Sequence, residues 1–89
     1  MRIKEGFKLR TVGNEYIVTG EGLGGQVDFN KLIALNASAA YLWQQVEGQE
    51  FDESILAGLL AGKYDINAVI ASQDAKDIIA EWLAAGIIE

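Results

Sequence analysis

The hydrophobic period of this chain changes once, at Asn36, and that change limits what it can fold into. Before it, Phe7-Lys8-Leu9-Arg10 alternates apolar and cationic residues. This puts Phe7 and Leu9 on one face and Lys8 and Arg10 on the other, the pattern of a half-buried strand. Val12-Gly13-Asn14-Glu15 supplies turn chemistry, and Glu15-Tyr16-Ile17-Val18-Thr19 resumes with aromatic and β-branched residues, so the pair predicts a β-hairpin. Residues 20–25, Gly-Glu-Gly-Leu-Gly-Gly, read as a loop. No Lys-Ser/Thr pair follows to make it a phosphate cradle. In residues 26–35 β-formers stand on both sides of Asn30-Lys31, which fits one bent strand or two short ones around a tight turn; a turn at Asn30 is the expectation. Leu32-Ile33-Ala34-Leu35 is apolar on both faces, so this strand is either covered twice or holds one face open for a partner.

After Asn36 the spacing is helical. Asn36 is a good N-cap, with Ser38 as a second candidate, and Ala39, Leu42, Trp43 and Val46 form a stripe ending before Gly48. Asp52 is expected to cap a second helix, with Glu53 favourable to its dipole and Ile55, Leu56, Leu59, Leu60 and the more marginal Tyr64 facing inward. Gly58 and Gly62, one turn apart in that helix, point to close helix contact or to looseness near its end. Asp65 is expected to cap a third, longer helix. There Val69, Ile70, Ala75, Ile78, Ile79, Trp82 and Leu83 keep the rhythm until Gly86 stops it. Strands first and helices after predict an α+β domain spanning residues 1–89. Its expected architecture is winged-helix-like, with an N-terminal antiparallel sheet of three or four short strands followed by three helices.

Composition then removes whole classes of function. The 89 residues include no cysteine and no histidine, so thiolate nucleophiles, imidazole acid-base pairs and most transition-metal sites cannot be built from this chain. Thirteen acidic against seven basic residues give a net charge of −6, which opposes binding to a phosphate backbone. A winged helix would present its last helix to DNA, yet that helix carries Asp74, Asp77 and Glu81 with Lys76 as its cation and no arginine to read guanine. Those carboxylates, with Asp52 and Glu53, read as caps and solvated helix faces rather than as catalytic groups. Tyr41, Trp43, Tyr64 and Trp82 read as core or core-edge residues. Arg2, Lys4, Lys8 and Arg10 make the first ten residues basic, which fits a solvated strand face better than a docking patch. No apolar run approaches the roughly 20 residues of a membrane span and the first residues have no signal-peptide pattern, so the expected location is the cytoplasm, with no nucleic-acid or membrane partner. What remains is a small binding scaffold, in which an open strand edge could take up an extended peptide or pair with its own copy.

Specific residues narrow this further. Lys4-Glu5-Gly6-Phe7 and the hairpin after it, Val27-Asp28-Phe29-Asn30 running through Leu35-Asn36 into Leu42-Trp43, Tyr64-Asp65 before the third helix, Asp74 within it and the closing Gly86-Ile87-Ile88 resemble the coenzyme PQQ synthesis protein D (PqqD) family over nearly the whole chain. Lys31 stands where a turn glycine is common in that family, and Ala37 where an acidic residue is frequent. The resemblance implies a non-catalytic, cofactor-free RiPP recognition element. Such a domain binds the leader of a ribosomally made precursor peptide and presents it to a modifying enzyme, often a radical SAM protein; PQQ synthesis is one such setting. In this family the peptide adds as a strand beside the third strand and lies against the third helix. Carried onto this sequence, the implied peptide-binding residues are Lys31, Leu32, Ile33, Ala34 and Leu35 from the strand, and Asp74, Ala75, Ile78 and Trp82 from the helix. The rival expectation is a structural subunit, or a homodimer formed through the same strand edge.

Overall fold

A computed structural model describes residues 1–21 and 27–89, with side chains for 1–20 and 32–89. Strands β1 (Phe7–Val12), β2 (Glu15–Glu21) and β3 (Val27–Leu35) precede helices α1 (Ala37–Val46), α2 (Glu53–Tyr64) and α3 (Ala68–Ala85). The sheet is antiparallel in the order β1-β2-β3, so β3 is an edge strand. The loop expected at residues 20–25 lies outside the described residues from 22 onward, while Gly20 and Glu21 complete β2.

The hairpin turn sets which backbone groups point where. Gly13 takes φ +61° at the first central position, a conformation glycine adopts without steric cost, and Val12 pairs with Glu15 across a two-residue loop. A pair that closes so short a loop exchanges both of its backbone bonds, and alternation along the strands follows from that. Ile17 and Thr19 therefore direct their N–H and C=O groups toward β1, and Tyr16 and Val18 toward β3. Since Val18 pairs with Ile33 and Tyr16 with Leu35, the backbone groups of Ile33 and Leu35 face into the sheet. Those of Leu32 and Ala34 face out from its edge.

The expected turn at Asn30 is not there. Residues 27–35 form one strand, but its register with β2 breaks: β2 advances from Thr19 to Gly20 while β3 passes from Leu32 to Asp28. The break is centred on Asn30, which explains the turn-like sequence, and the chain stays extended through it.

Side chains on the inner face of the sheet meet the helices. Val18 is fully buried, and Phe7, Leu9, Ile33 and Leu35 pack partly buried around the same core. Its centre is aromatic. Trp82 of α3 meets Trp43 of α1 edge to face at 5.6 Å, and Phe51 of the α1–α2 connection at 6.2 Å. After Gly86 (φ +74°) ends α3, Ile87 and Ile88 return to the core and bridge to the first residues, Arg2 donating to the Glu89 carbonyl at 2.8 Å and Glu89 to that of Arg2 at 2.9 Å. Nearby, the Met1 ammonium and the Arg2 guanidinium both reach Glu50, the ammonium by a 3.3 Å hydrogen bond. Chiefly through that bond, the Glu50 carboxyl is held below its ordinary pKa. Among the described residues no helix is long and apolar enough to cross a membrane.

Two of the expected caps are present. The Asn36 side chain accepts the Ala39 N–H at 2.8 Å and the Ser38 hydroxyl at 3.0 Å, and Asp52 accepts the Ile55 N–H at 2.8 Å. The third cap is two residues later than expected: Asn67, not Asp65, accepts the Ile70 N–H at 2.9 Å. Asp65 instead closes α2 in the left-handed conformation (φ 52°, ψ 43°), its N–H donating to the Ala61 carbonyl. Several apolar residues expected in the core are exposed: Ile55, Tyr64, Ile70 and Leu83, with Val69 the furthest out at 80%. A Cβ at Gly58 or Gly62 would meet nothing within 4 Å, so close helix contact does not account for these glycines.

Two outcomes follow for stability. Asn36→Ala should lower the unfolding free energy by about 1 kcal/mol in urea titration, because it removes the α1 cap; an unchanged midpoint would contradict that role. Asp65→Val should cost about 1–2 kcal/mol, since a β-branched side chain is strained at positive φ, while Asp65→Gly should not. Equal effects of the two would refute the left-handed cap.

Candidate peptide-binding groove

β3 runs straight into α1, and the junction forms one wall of a groove of about 660 Å³. Asn36, Ala37 and Ser38 line that wall. The apolar lining comes from Leu60 and Tyr64 of α2, Ile66 of the α2–α3 turn and Ile78 of α3. Asp74, Asp77 and Glu81 of α3 complete it, and all three are exposed. The side of the groove toward α2 is held by aromatic contacts: Tyr41 and Tyr64 meet edge to face at 6.2 Å, and the Lys63 ammonium sits 5.3 Å from the centre of the Tyr41 ring.

Four α3 residues reach this groove because of their spacing. Positions 74, 77, 78 and 81 recur at three and four, so they share one helix face, beside the face that buries Ala71, Ala75 and Trp82. Asp77 accepts a 3.0 Å bond from Gln73 on its own helix. Among the described residues no lysine or arginine pairs with Asp74, Asp77 or Glu81. The groove is thus apolar within and anionic along one side.

The expected site residues divide accordingly. Asp74 and Ile78 line the groove, but Ala75 and Trp82 are core residues, 0% and 1% exposed, and present no side chain to a ligand. Four-residue spacing put them next to the groove face without distinguishing the two sides of the helix. In β3, Leu32 is 46% exposed and Ala34 is exposed, and theirs are the outward backbone groups. Ile33 and Leu35 instead pack against the core and bond into the sheet, so they offer neither edge groups nor free side chains. Lys31 lies in the register break of β3, and its side chain is outside the described set.

Other groove residues were missed at the sequence level. Asp77 and Glu81 carried a signal, their helical spacing from Asp74 with Ile78 interrupting a polar face, but that pattern equally fits a solvated surface. Tyr64 and Ile66 carried none, because their position depends on how sharply Asp65 turns the chain. A second cleft of about 550 Å³ runs between α2 and α3, lined by small side chains such as Ala57, Ala61 and Ala68.

No curated protein sequence matches the chain. Among solved structures, TbiB1 in complex with the TbiA(beta) leader peptide shares the fold: the TM-score is 0.74 at 13% identity, with 100% of this chain and 95% of that one covered. The family profile of coenzyme PQQ synthesis protein D (PqqD) matches residues 16–88, from β2 through the last buried residue after α3. The chain belongs to the PqqD family.

Proposed function

We propose that this chain is a non-catalytic, single-domain recognition element that binds the leader of a ribosomally made precursor peptide as an added strand on β3. The observation that carries the reading is the open edge itself, where Leu32 and Ala34 turn backbone donors and acceptors outward on the strand that runs into the wall of an apolar groove. Membership in the PqqD family and a fold shared with a protein solved with a leader peptide bound both support it. The bound leader would lie between β3 and the groove face of α3, with Asp74 and Ile78 among its contacts. In this reading the domain holds the peptide for a separate modifying enzyme, a radical SAM protein being the first candidate, and no step of that chemistry falls to this chain. PQQ synthesis is one pathway in which such a pair would act.

Proline substitution along β3 tests the proposal. Leu32→Pro and Ala34→Pro each remove an outward donor and leave the β2 ladder intact, so a leader peptide that binds the wild type should bind each variant about 2- to 10-fold more weakly with little change in melting temperature. Ile33→Pro, which breaks a bond to Val18, should destabilise the fold instead. Unchanged leader affinity in folded Leu32→Pro and Ala34→Pro variants would overturn strand addition at this edge. Concentration-dependent dimerisation abolished by the same two variants, with no leader binding, would establish the homodimer in its place.

A further inference from the structure

The charge of the groove specifies what kind of peptide it takes. Asp74, Asp77 and Glu81 line it without a cationic partner among the described residues, in a chain of net charge −6. Ile78 lies between the last two carboxylates and contributes to the apolar lining next to Leu60 and Ile66. Asp74 and Glu81 are seven positions apart on α3, about 10.5 Å along the helix axis. An extended peptide covers that distance in about three to four residues, and because alternate side chains share a face, the matching set is three same-face positions at i, i+2 and i+4. Carboxylates at both ends of an apolar stretch complement a ligand with the opposite order of charge, and an acidic ligand would meet repulsion along the whole row.

Building on the strand-addition reading, we infer that the recognised peptide is a basic one, with an apolar side chain that enters the groove beside Ile78 and a lysine or arginine two positions to either side of it, so that all three side chains share the strand face turned toward Asp74 with Asp77 and Glu81. The carboxylates then act in selection and in steering, while the β3 backbone bonds hold any extended sequence.

The test is a selection from a random linear-peptide library, using the full chain and the variant Asp74→Asn/Asp77→Asn/Glu81→Gln, whose exposed substitutions leave the core untouched. Peptides selected by the wild type should be enriched in the basic–apolar–basic order. They should bind the neutralised variant about 3- to 10-fold more weakly and lose affinity as salt rises from about 50 to about 300 mM. Amide shifts of Leu32 and Ala34 report strand addition separately. Selected peptides that shift those amides but show no basic enrichment, or that bind both proteins equally, would overturn the charge inference and leave strand addition standing. Selected peptides that shift neither amide would overturn both.

Discussion

Trp82 meets Trp43 and Phe51 in edge-to-face contacts, and the placement of α3 depends on them. Both indole N–H groups are buried without an acceptor among the described residues, so the cluster holds through burial and ring geometry rather than hydrogen bonding. Truncating a buried tryptophan typically costs about 3–5 kcal/mol, a large share of what a domain of this size has. With Trp82 facing inward, helical geometry leaves Asp74, Asp77, Ile78 and Glu81 on the adjoining face, beside the start of α1. The same aromatic cluster that closes the core therefore positions the groove.

The second constraint is the two-residue turn at Gly13-Asn14. Because it forces Val12 and Glu15 to be a bonded pair, it fixes the parity of every backbone group in β2, and through the β2–β3 register that of β3 as well. Leu32 and Ala34 face outward as a consequence of a turn some twenty residues earlier. Asn36 adds the last element by capping α1 immediately after Leu35, so that the chain leaves the sheet at the groove wall.

Much of the fold was legible from periodicity. The hairpin, the Asn36 and Asp52 caps and the Gly86 stop each rest on a local rule that nothing distant overrides. Asp65 misled because aspartate suits both an N-cap and a left-handed terminus, and Asn67 two residues later competes for the same role. Val69 misled because apolar character alone does not choose a helix face; it lies about 200° around from the buried Ala71. At the site, the family resemblance pointed to β3 and α3 as whole elements. It could not separate Leu32 and Ala34 from Ile33 and Leu35, since that distinction depends on a register interrupted at residues 29–31, nor Ile78 from Ala75 and Trp82, which depends on how α3 is rotated.

A domain of this kind would work by geometry and charge alone: an unpaired strand edge for affinity, an apolar groove for one side chain, and an acidic row that favours basic sequences. The most direct measurement of the central claim is amide hydrogen exchange at single-residue resolution, in dilute protein and with the leader added. In the free protein Ile33 and Leu35 should be protected while Leu32 and Ala34 exchange at least about tenfold faster, and the leader should slow those two selectively. Leu32 and Ala34 amides already protected in the free protein, or unaffected by a bound leader, would contradict the account.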